Sequence, residues 1–206
     1  MKIISLKDRR KGLTSVLLED GTELLLDTEI VIIKNLTPGA VIGDPDALLY
    51  ESDLKRAKSR ALWYLSRGDL SEKKLTEKLT LGGFMPSAVQ SAAERMKELG
   101  LVDDLRLAQR LFEYYSEGGS SKREIYFKLT NKGIPSGIAK QVLEENETDE
   151  QEKLIKLIKT KYASKLKTEE GVQKTFAALV RKGFSFSDVK EALKAYSEEL
   201  EEVDEF

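Results

Sequence analysis

Three glycines stand fifty residues apart in this chain, at Gly83, Gly133 and Gly183. Their surroundings recur with them, since a leucine lies four residues before each glycine and an apolar residue follows directly, in the pairs Leu79 and Phe84, Leu129 and Ile134, and Leu179 and Phe184. A glycine in this setting ends a helix in the left-handed backbone region, where a Cβ atom would be costly. The recurrence therefore predicts a tandem helical repeat whose thin units must stack on one another.

The spacing of apolar residues predicts three helices in each unit, so we expect a mainly α fold in an elongated, curved stack. The boundaries that we predict are 51–102 for the first repeat, 103–148 for the second and 149–200 for the third, followed by an acidic tail at 201–206. Ser87 with Gln90, and Ser121 with Glu124, have the spacing of capping boxes that begin helices. Tyr64 and Tyr114 also lie fifty residues apart, which places them at matching positions.

Residues 1–50 read as a small β-rich module that packs on the helices after it. Ile3, Ile4 and Leu6 indicate a short strand. Asp20-Gly21 lies between two apolar runs, 13–18 and 22–26, which is a strong signal for a β-hairpin. Thr28 is placed to cap a short helix that ends before Thr37-Pro38-Gly39.

The composition argues against several kinds of chemistry. The chain has no Cys and no His, so it lacks disulfides, thiolate metal sites, and the commonest general base and metal ligand. The pair Asp103-Asp104 stands where a helix should begin, which favours a capping role over a catalytic one. We therefore expect no enzyme activity, no cofactor and no bound metal. No apolar run resembles a signal peptide or a membrane span, so we expect a soluble, cytoplasmic protein without membrane contacts. We also expect a monomer, although no sequence pattern fixes the oligomeric state.

Charge alternates in blocks along the chain, although the net charge is only −2. Residues 51–140 carry a net +5 and residues 151–194 a net +6, whereas the short segments 141–150 and 195–206 carry −5 and −6. Two separate basic blocks are a reason to consider a polyanionic partner. Solvation of the outer helix faces explains the same pattern without any partner, and the sequence leaves both interpretations open.

The basic residues of the repeats are the candidate binding site, for DNA or for an acidic protein surface. They are Arg56, Lys58, Arg60, Arg67, Lys73, Lys74 and Lys78 in the first repeat, Lys122, Arg123, Lys128 and Lys132 in the second, and Lys174, Arg181 and Lys182 in the third. The aromatic residues Trp63, Tyr64, Tyr114, Tyr115 and Tyr126 have the chemistry to stack on bases. Their helical spacing favours packing between helices instead.

The ordered motifs of the chain resemble those of the RecX family. The segment 61–71, ALWYLSRGDLS, resembles the opening repeat of these proteins, and 99–108, LGLVDDLRLA, resembles their most recognisable motif. Ser121-Lys-Arg-Glu-Ile125 and Lys132-Gly-Ile134 are similar to the start of their second repeat. The chain departs from the family at Leu107, where the family usually has Phe, and in its acidic segments at 144–150 and 198–205.

The resemblance implies a regulator that binds the RecA recombinase filament on single- or double-stranded DNA, in recombination and repair. Such proteins inhibit ATP hydrolysis and strand exchange or promote filament disassembly; whether this chain inhibits or activates stays open from its sequence. Two other classes fit the residues. A direct DNA-binding protein would use helix-turn-helix-like units and bind naked DNA with steep salt dependence. A generic helical-repeat scaffold would expose an apolar groove for a protein or peptide.

Overall fold

The computed structural model of the chain describes residues 1–146 and 149–204, with side chains described to residue 198. The side chains of the predicted acidic tail at 201–206, and residues 147–148 of the acidic segment at 144–150, therefore lie outside the described residues. The chain divides into two compact units, Met1–Asp103 and Asp104–Phe206. The mainly α architecture with a small N-terminal β module is the fold class that the sequence predicted.

The N-terminal module is a three-stranded antiparallel sheet followed by one short helix. Its elements are β1 (Ile3–Arg9), β2 (Leu13–Leu18), β3 (Glu23–Asp27) and α1 (Thr28–Ile33), and the strand order is β1-β2-β3. The hairpin predicted at Asp20-Gly21 is confirmed as the β2–β3 turn. The β1–β2 turn had no Asp-Gly signal; it passes through Lys11 and Gly12, both with positive φ. The cap predicted at Thr28 is wrong by one residue, because the side chain of Asp27 accepts the Glu29 N–H at 3.0 Å.

A long helix continues from the sheet into the first repeat. The helices of this repeat are α2 (Pro45–Leu65), α3 (Glu72–Thr80) and α4 (Pro86–Glu98). The boundary predicted at 50/51 lies inside α2, so one helix serves both the module and the repeat. Ser52 Oγ accepts the Asp27 N–H at 2.7 Å, and Lys55 Nζ lies 2.8 Å from the Asp27 carboxylate. These two contacts fix the sheet on the first half of α2.

The second unit contains two further sets of helices, each with a separate core. Its elements are α5 (Asp104–Glu117), α6 (Lys122–Asn131), α7 (Ser136–Glu145), α8 (Glu150–Leu157), α9 (Glu169–Arg181) and α10 (Phe186–Asp204), with a π turn at Ile158–Tyr162 and a 3₁₀ turn at Ala163–Lys165 after α8. Ile125, Leu129 and Val142 are fully buried in the first core, and Leu154, Ile158 and Leu179 in the second. The predicted helix start at Asp103-Asp104 is confirmed, since α5 begins at Asp104.

The three glycine junctions have the same backbone geometry, as the repeat predicted. The φ angles of Gly83, Gly133 and Gly183 are 78°, 87° and 88°. The N–H of each glycine donates to the carbonyl three residues earlier, at 2.9–3.0 Å. The apolar residue after each glycine is buried against the repeat core, at Phe84, Ile134 and Phe184. The repeat interpretation is therefore confirmed at the positions from which it was drawn.

The two predicted capping boxes have different outcomes. Ser121 caps α6, since its hydroxyl accepts the Glu124 N–H at 3.1 Å, although the Glu124 carboxylate pairs with Lys128 instead of closing the box. Ser87 is not a cap, because α4 already begins at Pro86 and no side chain caps it. Proline at the first turn has no N–H to satisfy and its φ suits a helix, so this end starts without a polar side chain.

Candidate partner and nucleic-acid interface

The predicted basic residues lie on the first helix of the first repeat and on the second helix of each repeat, or just past their ends, and several already have partners within the fold. Arg56 pairs with Asp53 at 3.2 Å and lies over the Phe84 ring. Further ion pairs include Lys74 with Glu77 at 2.8 Å, Lys128 with Glu124 at 3.0 Å and Lys174 with Glu170 at 2.6 Å. A cation held in this way contributes less to a new partner, since binding must displace its own carboxylate.

The most accessible predicted cations are on the outer faces of the helices. Arg60, Arg67, Lys73, Lys78, Arg123, Lys132, Lys174 and Arg181 are exposed, whereas Arg56, Lys58, Lys74, Lys122, Lys128 and Lys182 are partly buried. Several positions recur at the fifty-residue spacing: Lys73 with Arg123, Lys78 with Lys128, and Lys132 with Lys182. The second helix of each repeat carries at least one exposed cation: Lys73 and Lys78 on α3, Arg123 on α6, and Lys174 and Arg181 on α9.

Lys78 and Lys128 each lie over a tyrosine ring of their own repeat. Lys78 Nζ lies 5.1 Å from the ring centre of Tyr64, and Lys128 Nζ lies 4.7 Å from that of Tyr115. Both tyrosines are half-buried and pack on their repeat core. Tyr64 therefore corresponds to Tyr115 and not, as the fifty-residue spacing suggested, to Tyr114. The segment between the tyrosine and the next helix is one residue shorter in the second repeat, which shifts the register.

Trp63 and Tyr114 precede these tyrosines and point outward. The side chains are 44% and 69% exposed, so the predicted packing between helices is wrong for both. Each forms an edge-to-face pair with the tyrosine that follows, with ring centres 5.2 Å and 5.4 Å apart. Of these two exposed rings, Trp63 has two guanidinium groups over it, from Arg67 at 3.9 Å and Arg60 at 5.5 Å, whereas the described ring contacts place no cation over Tyr114.

The second and third sets of helices meet at the start of α6. The Ser121 hydroxyl donates to the Lys182 carbonyl at 2.6 Å, and the Lys122 N–H donates to the Glu150 carboxylate at 3.2 Å. Burial raises the pKa of Glu150 above its ordinary value, which the Lys122 N–H and the neighbouring Lys153 only partly offset. Sequence reasoning missed this junction, because its partners lie 28 and 61 residues apart and no local pattern links them.

A groove of about 640 Å³ opens between α5 and α8, on apolar residues that include Phe112 and Leu157. Both lysines and carboxylates line its walls, including Lys153 and Lys156 opposite Glu113 and Glu117. Lys153 Nζ donates to Ser116 Oγ at 2.8 Å, and burial lowers the pKa of this lysine. A groove with both charges does not select an anionic partner by its electrostatics.

The described side chains show no constellation for metal chemistry. Within residues 1–146 and 149–198, no three His, Cys, Asp or Glu side chains are close enough together to hold a metal ion. None of the described helices has the length and apolar character needed to span a bilayer. The exposed side chains of the described repeats include cations on the second helices and the indole of Trp63 between two arginines. They define a helical-repeat protein with positive charge on its outer faces.

Comparisons with known proteins identify the family. Residues 57–96 match the family model for the first three-helix domain of RecX, and residues 147–193 match the model for its third. A Regulatory protein RecX of Vibrio vulnificus is 31% identical over 140 residues, which cover 66% of this chain and 90% of that protein. A Regulatory protein RecX of Caldanaerobacter subterraneus subsp. tengcongensis is 27% identical over 190 residues, which cover 91% of this chain and 95% of that protein. The chain belongs to the RecX family of regulatory proteins.

Solved structures support the same fold. A crystal structure of regulatory protein RecX superimposes with a TM-score of 0.63 at 23% identity, over 94% of this chain and 98% of the other. The crystal structure of RecX from Lactobacillus salivarius gives a TM-score of 0.61 over 69% and 96%. These structures confirm the fold, while the family models and the relatives confirm the predicted family resemblance.

Proposed function

We propose that this chain is a cytoplasmic, monomeric, non-enzymatic regulator that binds the RecA–DNA filament and inhibits its ATPase and strand exchange. The supporting observation is the recurrence of exposed positive charge on the second helix of successive repeats, as at Lys73 and Arg123, which lie fifty residues apart. A filament presents identical subunits and a continuous phosphate backbone at regular intervals. A protein with repeated contact units suits such a partner, because linked weak contacts add through their high effective concentration.

We expect inhibition, not activation, because the RecA filament must change its conformation during each cycle of ATP hydrolysis. Contacts to several subunits favour the filament state that allows all of them at once. A ligand shifts a conformational equilibrium only through its different affinity for the two states. Stabilising one state of the filament therefore slows both ATP turnover and strand exchange, which depend on leaving that state.

Direct binding to DNA is the second candidate, and one observation favours it. Trp63 is exposed and lies between Arg60 and Arg67, which is the composition of a site for single-stranded nucleic acid. A protein that acts through DNA alone would compete with RecA for the strand. It would need enough copies to cover the DNA, whereas a filament-binding protein acts below that ratio.

An ATPase titration separates the two candidates. RecA is assembled on single-stranded DNA at a fixed salt concentration, and the chain is added from far below the RecA concentration upward. We expect the ATPase rate to fall at substoichiometric ratios of the chain to RecA. A fall that begins only when the chain is sufficient to cover the DNA contradicts filament binding and favours competition. A constant rate contradicts both.

A further inference from the structure

The second half of α2, together with the turn that follows it, contains basic residues and no acidic ones. Residues 54–68 contain Lys55, Arg56, Lys58, Arg60 and Arg67, and no Asp or Glu. Lys55 is held by Asp27 and Glu29, and Arg56 by Asp53. By contrast, Lys58, Arg60 and Arg67 form no ion pair with any residue in the part of the chain that the structure describes. These three cations are available for an anion from outside.

Trp63 lies at the centre of these available cations. Arg60 lies one turn before it on α2, and Arg67 lies in the turn just after the helix end, yet both guanidinium groups lie over the indole, at 5.5 Å and 3.9 Å from the ring centre. The indole is 44% exposed, and its neighbour Leu62 is 47% exposed. The indole is therefore outside the repeat core, and the two guanidinium groups beside it form no ion pair with a described carboxylate. Such a surface is suited to binding.

The second repeat provides the comparison within the same chain. Tyr114 occupies the position that corresponds to Trp63 and is 69% exposed. Within one turn of it on α5 lie two carboxylates, Glu113 and Glu117, and one cation, Arg110. No cation lies over the Tyr114 ring among the described ring contacts. The second repeat therefore has an exposed ring in mixed charge, without the pair of guanidinium groups that lies over the indole in the first repeat.

We propose that Trp63 is a stacking platform for a base of single-stranded DNA, with Arg60 and Arg67 pairing with the phosphates on either side. A base stacks on the indole because every base has a π face, and each arginine then moves from the ring to an anionic oxygen. Double-stranded DNA fits poorly, since its bases are already stacked and paired. The inference deepens the proposed function by assigning direct contact with the DNA strand to the first repeat.

The single tryptophan of the chain makes the test direct. Intrinsic fluorescence is recorded while a thymidine oligomer is added at fixed low salt, without RecA. We expect the emission to be quenched to saturation, and a double-stranded oligomer of equal length to quench much less. Inorganic polyphosphate is the probe for charge alone. Equal quenching by polyphosphate would show that the arginines attract an anion without any stacking, which overturns the proposal.

Variants test the same site with a second readout, the anisotropy of a labelled thymidine oligomer. We expect Trp63→Ala to weaken binding about tenfold, as loss of one stacked base does. Trp63→Phe keeps a ring and is expected to restore most of the affinity. The matched control is Tyr114→Ala, which removes an even more exposed ring and should leave the affinity unchanged. Circular dichroism confirms that each variant is folded.

Two further outcomes overturn the proposal. In the first, the anisotropy curve of Trp63→Ala with the thymidine oligomer is the same as that of the wild-type chain. In the second, the wild-type chain does not bind the oligomer at low salt. Because RecA is absent, failure here is distinct from failure of the proposed function. A chain whose Trp63→Ala variant binds DNA normally and still inhibits the RecA ATPase would retain the filament proposal and lose this one.

Discussion

The Ser121 hydroxyl donates to the Lys182 carbonyl at 2.6 Å while it accepts the Glu124 N–H at 3.1 Å. One buried side chain thus caps α6 and binds the end of α9, 61 residues later. Neither role alone would require full burial. Together they explain why Ser121 has no exposed surface.

Replacing Ser121 by alanine should lower the free energy of unfolding more than loss of an ordinary cap does. Loss of a cap costs about 0.5–2 kcal/mol. The part-buried Lys182 carbonyl also loses its donor, which adds roughly 1 kcal/mol. Urea denaturation followed by circular dichroism measures the change. Ser87→Ala is the control, because Ser87 has the same capping-box pattern but is exposed and caps nothing, and its effect should stay within about 0.5 kcal/mol.

Replacing Gly183 by alanine should destabilise the chain more than replacing Gly133 by alanine. Both residues have positive φ, which costs a residue with a Cβ roughly 1–2 kcal/mol. At Gly133 a Cβ would meet nothing within 4 Å, whereas at Gly183 it would lie 2.6 Å from Ser121 Oγ. Gly133→Val should also lower the melting temperature, since a β-branched residue avoids this region. Equal thermal shifts for the two alanine variants would contradict the close approach at Gly183.

The stability of the chain should depend on pH through Glu150. Burial raises the pKa of Glu150 in the folded chain above its ordinary 4.5. A raised pKa in the folded state contributes stability that is present below pH 4.5 and is lost as the pH rises through the raised value. As the pH increases from 4.5 toward neutrality, the unfolding free energy of the wild type should therefore fall relative to that of Glu150→Gln. Parallel pH profiles of the two proteins would show that Glu150 is not desolvated.

Charge reversal on α6 should weaken filament inhibition without unfolding the chain. Lys122, Arg123 and Lys128 are the predicted binding residues on this helix, but Lys128 contacts Glu124, Ser120 and Tyr115 within the fold. Reversing Lys128 should therefore also reduce stability. Arg123→Glu is the cleaner variant, since Arg123 is exposed. We expect its inhibition constant to rise roughly fivefold, because a surface charge pair contributes up to about 1 kcal/mol. Lys140→Glu, at an exposed position on α7 outside the predicted surface, is the control and should inhibit like the wild type.

Local signals predicted the parts of the fold that depend on a few neighbouring residues. The Asp20-Gly21 hairpin and the glycine junctions were found because each requires a backbone conformation that few residues adopt. The cap at Ser87 was wrong because Pro86 already begins that helix. The predicted equivalence of Tyr64 and Tyr114 was wrong because the connection to the next helix is one residue shorter in the second repeat. Only the contacts of Lys78 and Lys128 with their tyrosines reveal this difference.

The candidate surface was predictable only in part. Sequence alone identified the basic residues but not which of them the fold neutralises. The pairing of Arg56 with the buried carboxylate of Asp53, for example, is visible only in the structure. Trp63 was expected to pack between helices, since aromatic residues at helical spacing usually do. The absence of acidic residues between 54 and 68 was the signal that could have marked it as a binding residue. The junction at Ser121 and Lys182 needed the three-dimensional structure.

Co-sedimentation measures directly whether the chain binds RecA filaments. Filaments are formed on single-stranded DNA with a non-hydrolysable nucleotide, and the chain is centrifuged with these filaments, with the DNA alone and with RecA alone. We expect the chain to pellet with the filaments in a saturable amount, above that carried by either component separately. Recovery with the filaments that does not exceed recovery with DNA alone would contradict it.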